Sequence, residues 1–161
     1  KHYMKSNNII VHQGHYQLNH DSDVIPFTVI NGNLIISNLN FDYNFDDIFK
    51  CIKQVKDLKM CGAYSGESYS FPVLTTVRRI LISSNEMLKS LSFPKLTTAK
   101  WDITIKDNKM LTLLSFPELN HIGWTVQGTI TGNPELALVK SSSFPMLADN
   151  DWNTFVITNN I

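Results

Sequence analysis

The amino-acid sequence predicts an all-β fold, a right-handed parallel β-helix in which about six coils stack along one axis. Three recurring features support this prediction: the dipeptide Phe-Pro, a short segment with the pattern apolar-x-Ile, and an Asn close behind that segment. Self-similarity at a period of about 20 to 50 residues is typical of solenoid proteins, in which each repeat buries its apolar face against the next.

The Phe-Pro dipeptides mark one corner of each coil. They occur at Phe71-Pro72, Phe93-Pro94, Phe116-Pro117 and Phe144-Pro145, at intervals of 22, 23 and 28 residues. Proline cannot donate a hydrogen bond to a sheet, so each dipeptide is expected at a turn. The phenylalanine rings are expected to stack in the interior, beside the leucine two residues after each proline. These leucines are Leu74, Leu96, Leu119 and Leu147.

The apolar-x-Ile segments alternate with period two, which predicts short strands. They read "LIISN" (34–38), "ILISSN" (80–85), "ITIKDN" (103–108), "TITGN" (129–133) and "FVITNN" (155–160), with "LKMCG" (58–62) as a variant. Asn and Gly suit the sharp corner after each strand because they tolerate left-handed backbone angles. A leucine-rich-repeat horseshoe has a similar period, but the short, proline-marked outer segments favour a β-helix.

Two regions depart from the repeat. The stretch "FDDIFKCIKQV" (45–55) has apolar residues at helical spacing, which predicts a short helix before the second long strand. Residues 1–23 lack the repeat and are expected to form an N-terminal cap on a β-helix domain that spans 24–161.

Composition narrows the class of partner. The chain has 161 residues with 14 basic and 14 acidic side chains, so its formal net charge is zero. The chain therefore lacks the excess of basic residues that is typical of nucleic-acid-binding proteins. A membrane-spanning helix needs a run of about 18 apolar residues, and no apolar run in the sequence is that long. No residue pattern predicts a cofactor.

The spacing of the first strands resembles the receptor L domain, the ligand-binding module of insulin-receptor and epidermal-growth-factor-receptor ectodomains. The segment "FTVINGNLIISNLNFD" followed by "IFKCIKQVKDLKM" carries the resemblance, and "LSFPKLTT" (91–98) is also similar to that family. The Ser-Phe-Pro-x-Leu rhythm is further similar to fungal cell-wall proteins and to nematode secreted proteins with lone L domains. The resemblance implies an extracellular, non-catalytic domain that binds a protein or peptide ligand. An alternative is a structural or adhesive protein of a cell wall or cell surface.

In receptor L domains the ligand lies on the outer face of the parallel sheet. Aligning the predicted strands gives a central outward row of Ile35, Lys59, Leu81, Thr104, Thr129 and Val156. Ile35, Leu81 and Val156 are expected to be exposed apolar residues, and such patches tend to mark interfaces. The predicted ligand-binding residues are Asn33, Ile35, Ser37, Lys59, Cys61, Arg79, Leu81, Thr104 and Lys106.

Other candidate residues have weaker support. Cys51 and Cys61 either form a disulfide or remain free thiols.

His12 and His15, with His2 and His20 nearby, lack the acidic or cysteine partners of a metal site, so no metal is expected. Trp101 and Trp124 either form a sugar-binding platform or pack in the interior or at a corner of consecutive coils, and packing is favoured. Asp57 and Asp102 share one row at a separation of roughly two strand spacings, about 10 Å, which is too far for a retaining glycosidase pair. No catalytic motif is present, so an enzyme is not expected.

The C-terminal end also leads to an expectation. Phe155 and Ile157 are predicted to point inward in a last coil that nothing after Asn160 covers. We therefore expect this chain to be a piece of a longer ectodomain, with a fold of residues 144–152 over the end as the alternative.

Overall fold

The computed structural model describes residues 9–18, 27–37, 49–62, 66–123, 128–137, 140–152 and 155–161. Its strands are β1 (Val11–Gln13), β2 (Tyr16–Leu18), β3 (Val29–Ile36), β4 (Gln54–Cys61), β5 (Ser68–Ser70), β6 (Thr76–Ser83), β7 (Ser90–Ser92), β8 (Thr98–Lys106), β9 (Leu113–Ser115), β10 (His121–Ile122), β11 (Thr129–Thr131) and β12 (Val156–Thr158). The helices among these described residues are α1 (Lys140–Ser143) and α2 (Asp149–Trp152).

These strands form a parallel β-solenoid of about five turns, where the sequence repeats suggested about six. The main sheet has the order β1-β3-β4-β6-β8-β11-β12, with β2 also paired to β3 and β10 also paired to β8. A second sheet has the order β5-β7-β9. Every pairing is parallel and joins strands of successive coils, which confirms the predicted fold class.

A column of phenylalanine rings fills the corner between the coils. The rings of Phe49, Phe71, Phe93, Phe116 and Phe144 are all fully buried or nearly so. Adjacent centroids lie 4.4 to 5.0 Å apart and successive planes differ by 4° to 21°. Within each corner the leucine three residues later donates its backbone N–H to the phenylalanine carbonyl, as Leu74 does to Phe71 at 3.4 Å. The predicted interior stack of Phe and Leu is confirmed.

Phe49 was expected in a helix, and it instead begins the same corner as the other phenylalanines. Ile52 donates its backbone N–H to the Phe49 carbonyl at 3.3 Å, as the leucines do in later coils. Residues 45–48 of the predicted helix lie outside the described residues, and Gln54 already belongs to β4. The helical spacing of Phe49 and Ile52 is thus the i, i+3 spacing of a β-turn.

Buried asparagines occupy the corner after the main-sheet strand in three successive coils. Asn85, Asn108 and Asn133 are fully buried, and the backbone N–H of each donates to the side-chain Oδ1 of the next asparagine at 3.1 Å. The last acceptor in this chain is Asn160. The sequence predicts a corner at the position after each strand. This chain of hydrogen bonds between asparagines, the asparagine ladder, satisfies backbone groups that the turn would otherwise leave unpaired.

The long strands bend where the number of residues per coil changes. Between two matched pairs, β6 has one residue, Arg78, whereas β8 has Lys100 and Trp101. A similar shift separates β3 from β4, where Asn31 and Gly32 face the single residue Lys56. An extra residue of this kind is a β-bulge, which kinks a strand and redirects its side chains.

The two ends of the solenoid differ from the prediction in detail. Residues 11–18 of the predicted cap form β1 and β2, which continue the main sheet parallel to β3. At the other end Phe155 is buried, as expected for an inward residue, but Ile157 is 37% exposed on the edge strand β12. The Trp152 ring of α2 lies 5.5 Å from Phe144 and 5.8 Å from Phe155, so the segment 144–152 packs against the last coil.

Candidate binding site

The predicted binding residues lie on or directly beside four neighbouring strands. Asn33 and Ile35 belong to β3 and Ser37 follows it, Lys59 and Cys61 belong to β4, Arg79 and Leu81 to β6, and Thr104 and Lys106 to β8. The central row has the predicted register, with Ile35 beside Lys59, Lys59 beside Leu81, and Leu81 beside Thr104. The register continues through Thr129 to Val156.

The central row is less exposed than expected. Val156 is 37% exposed, but Ile35 and Leu81 are only partly exposed. The prediction of an exposed apolar patch is therefore wrong for these two residues. Strands in one sheet lie about 4.8 Å apart, so side chains of one row pack against each other. The long Lys59 side chain between Ile35 and Leu81 therefore shields part of both. The face is a mixed surface with an apolar centre.

The next row toward the C-terminal ends of the strands is polar. Ser83 lies between Cys61 and Lys106, and its hydroxyl donates to the Cys61 sulfur at 3.2 Å. Ser37 accepts a hydrogen bond from the Gln17 side chain at 3.2 Å. Cys61 and Lys106 are exposed. Lys59 and Lys106 have no ion pair with any described residue, so they give this face positive charge.

The preceding row contains two buried carboxylates. Asp57 and Asp102 flank Arg79 in register, and they are only 3% and 5% exposed. Asp102 accepts from the Nε of Arg79 at 2.7 Å. Asp57 accepts two hydrogen bonds from Arg78, at 2.6 and 2.5 Å. This contact raises the pKa of the Arg78 guanidinium above its usual value. Each buried carboxylate is thus neutralised by its own arginine.

Arg78 and Trp101 were not among the predicted site residues, yet they meet at the bend of the main sheet. The Arg78 guanidinium lies 4.3 Å from the centre of the Trp101 ring, and that of Arg79 lies 5.5 Å away. Trp101 is 40% exposed, so of the two expected kinds of packing, interior or corner, the interior one is wrong for this residue. Trp124 lies outside the described residues. The interval between Phe-Pro dipeptides changes from 22 to 23 residues in the coil that carries the extra bulge residue. This change is the feature of the sequence from which the outward position of Trp101 could have been predicted.

A groove runs over this bend. Its volume is about 300 Å³, and its lining includes Asn31, Gln54, Lys56, Arg78, Lys100 and Trp101. It lies toward the N-terminal ends of the long strands, whereas the predicted face lies toward their C-terminal ends. The outer surface of the main sheet therefore offers two distinct candidate sites.

The two cysteines are free and exposed. Cys51 lies in the turn before β4 and Cys61 is the last residue of that strand. The extended strand alone spans seven residue steps, roughly 23 Å at 3.3 Å per residue. A disulfide requires Cα atoms within about 7 Å. The predicted possible disulfide between Cys51 and Cys61 is therefore wrong, and the free-thiol alternative applies.

His12 and His15 have structural contacts near β3. The His15 Nδ1 accepts the backbone N–H of Asn33 at 3.0 Å, and His12 Nε2 lies 3.2 Å from the His15 carbonyl. The His12 ring also packs 4.8 Å from Phe27. His2 and His20 lie outside the described residues. The described parts of the chain contain no group of three metal-ligating side chains.

Comparisons with protein-family models, curated proteins and solved structures find no match for this chain. None of the described helices is both long and apolar enough to cross a membrane.

Proposed function

We propose that this chain is a non-catalytic extracellular binding module that recognises a protein or peptide through the outer face of β3, β4, β6 and β8. The observation that carries the proposal is the unbroken parallel register of these four strands across the predicted residues. It aligns Ile35, Lys59, Leu81 and Thr104 in one row on a face whose side chains are partly open to solvent.

The composition of this face suits a protein partner. Partly exposed Ile35 and Leu81 provide an apolar centre with partly exposed Lys59 between them, and the more exposed Cys61 and Lys106 lie at the rim. Protein interfaces commonly have an apolar core surrounded by polar side chains. The lysines favour a partner with acidic groups around an apolar contact, because complementary charge speeds association and orients the partner.

The chemistry of the nearby carboxylates supports binding over catalysis. General acid–base catalysis needs a carboxyl group within reach of a substrate. Asp57 and Asp102 are buried; Arg78 donates to both oxygens of Asp57, and Arg79 and Thr104 each donate to one oxygen of Asp102. The resemblance to receptor L domains supports the extracellular location and the choice of face.

The test is selection from a displayed peptide library with the complete chain as bait. Leu81→Arg places a large charged side chain at the centre of the proposed face. Leu113→Arg is the matched control, because Leu113 is 58% exposed on β9 of the other sheet. Peptides that bind the unchanged chain and the control, but lose about tenfold or more affinity for Leu81→Arg, would support the proposal. Binding that survives Leu81→Arg, or a selection that yields no specific peptide, would contradict it.

A further inference from the structure

The groove at the bend of the main sheet carries an excess of positive charge. Among the described residues that line it, Lys56, Arg78 and Lys100 are cationic and none is acidic. Asp57 lies behind the groove and neutralises Arg78. Lys56 and Lys100 are exposed, and neither has an ion pair with any described residue. Their two ammonium groups are therefore available to a ligand.

The Arg78–Asp57 pair holds the groove in shape. Two hydrogen bonds join the guanidinium to a carboxylate that is only 3% exposed, so the plane of Arg78 is fixed. This guanidinium stacks on Trp101, which in turn fixes the indole ring at the wall of the groove. Arginine is suited to this double role because its planar group binds a carboxylate and stacks on an aromatic ring together. A rigid wall reduces the entropy lost on binding.

Trp101 on β8 supplies an exposed aromatic surface in the groove that Lys56, Arg78 and Lys100 also line. A tryptophan that remains 40% exposed beside charged groups presents apolar area to a ligand that also carries polar groups. The flat C–H face of a sugar ring packs well on such a surface, while its hydroxyl groups stay available for hydrogen bonds. The amides of Asn31 and Gln54 line the same groove; Asn31 Nδ2 already donates to Gln13 Oε1 at 2.9 Å, which leaves its Oδ1 and the Gln54 amide to bond to hydroxyls.

The backbone hydrogen-bonding groups at the groove are largely paired within the sheet, which favours recognition of a ligand by side chains. Strands β4 and β6 have a paired neighbour on both sides at the groove, and β8 pairs with β6 and, at Thr98 and Ala99, with β10, so most of their ladder hydrogen bonds lie within the sheet. An extended peptide gains much of its affinity by pairing with a free strand edge, and the groove does not lie at such an edge. The peptide-binding face proposed above lies on the same paired strands, so a partner at either place is recognised through side chains.

We infer that the groove binds an anionic carbohydrate, a chain of sugar rings that carries carboxylate or sulfate groups. Lys56 and Lys100 bind the anionic groups, the Trp101 indole packs against a sugar ring, and the amides of Asn31 and Gln54 bond to hydroxyls. This site is separate from the proposed peptide-binding face in position and in ligand class, so either can hold without the other.

The experiment measures binding of size-defined oligosaccharides to the complete chain by titration calorimetry. Heparin oligosaccharides carry sulfate and hyaluronate oligosaccharides carry carboxylate, so the two series distinguish the anionic group. Polyglutamate tests whether charge alone is enough, and a neutral cello-oligosaccharide tests whether the sugar ring alone is enough. We expect at least one anionic series to bind more tightly than both comparison ligands, with affinity that falls as salt screens the lysines.

Substitutions then locate the site. Lys56→Ala and Lys100→Ala should each weaken binding by about tenfold, the effect of losing a charge-assisted contact. Lys59→Ala and Lys106→Ala are the matched controls, since they remove the same charge from the same strands but outside the groove, and they should leave binding within about twofold. Trp101→Ala should abolish measurable binding and Trp101→Phe should restore most of it, with thermal melting checking that each variant folds.

Several results would overturn the inference. One is equal weakening by all four lysine substitutions, which would indicate attraction to net charge only. Others are unchanged affinity of Trp101→Ala, polyglutamate binding as tight as that of the sugars, or no binding by either anionic series.

Discussion

The side-chain Nδ2 of Asn108 donates to the Oδ1 of Asn133 at 3.0 Å, and both residues are fully buried. Asn108 in turn accepts from the backbone N–H and the side chain of Asn85, at 3.1 and 2.9 Å. Its Nδ2 also donates to the Lys106 carbonyl at 3.0 Å. One amide therefore links three consecutive coils, and it does so with both its donor and its acceptor.

Replacing Asn108 by Asp should destabilise the solenoid, because the new carboxylate oxygen would face the Asn133 Oδ1 and the Lys106 carbonyl without a proton to donate. We expect a loss of about 2 to 4 kcal/mol in the free energy of unfolding, measured with chemical denaturant. Asn120→Asp is the control, since Asn120 is exposed, and it should change stability by less than about 0.5 kcal/mol. Equal stability of the two variants would show that the ladder contributes little.

Phe93 lies in the middle of the phenylalanine column, 5.0 Å from Phe71 and 4.7 Å from Phe116. Phe93→Ala removes a fully buried ring and both stacked contacts, so it should cost about 3 to 5 kcal/mol in unfolding free energy. Leu113→Ala, at a site that is 58% exposed, should cost less than about 1 kcal/mol. A Phe93→Ala protein with an unchanged melting temperature would contradict the interior stack.

Gly123 allows two coils to approach closely at the bend. A Cβ atom built at this position would lie 1.6 Å from the Lys100 carbonyl oxygen, so any larger residue must push the strands apart. Gly123→Ala should therefore destabilise the fold by about 1 to 3 kcal/mol. It should also disturb the neighbouring Trp101, which can be followed by a change in near-ultraviolet circular dichroism.

Gly14→Ala provides the comparison for Gly123. Gly14 has open space around its Cβ position and a φ of +92°, so its substitution costs only the backbone strain, about 1 kcal/mol. The near-ultraviolet signal should not change in this variant. A stable Gly123→Ala protein with a native spectrum would contradict the close contact between the coils.

Tyr69 should make stability depend on alkaline pH. The residue is 2% exposed, and burial raises the pKa of its phenol from 10.0 to about 12. Between these values the unfolded chain releases the proton while the folded chain keeps it, so stability falls as pH rises from 10 toward 12. The expected loss is about 2 to 3 kcal/mol.

Tyr69→Phe isolates this contribution from lysines that titrate in the same range. Denaturant unfolding at pH 9, 10 and 11 should show a steeper loss for the unchanged chain than for Tyr69→Phe. Parallel pH profiles of the two proteins would indicate that the Tyr69 phenol titrates normally in the folded state.

The repeat in the sequence determined the class of fold and the interior. Each Phe-Pro-x-Leu corner and each strand-then-Asn corner is a local pattern, and stacking identical patterns requires their apolar side chains to align. The alternation within each strand also predicted which residues form the central outward row, because side chains on a strand change face at every step. Register from Ile35 through Lys59 and Leu81 to Thr104 followed from counting alone.

The tertiary structure decided the positions of residues where the repeat is irregular and the register cannot be obtained by counting residues. The corner at Phe49 lacks the proline, and its i, i+3 spacing suits a helix as well as a turn, so only the neighbouring Phe71 ring identifies it as part of the stack. The bulge at Lys100 and Trp101 shifts the alternation, which turns Trp101 outward and brings it under Arg78. Burial of Asp57 depends in the same way on an arginine from the next coil. These contacts join residues more than 20 positions apart, and their geometry depends on how the coils bend and stack. The sequence by itself determined the repeat and its register, and packing between coils decided the groove.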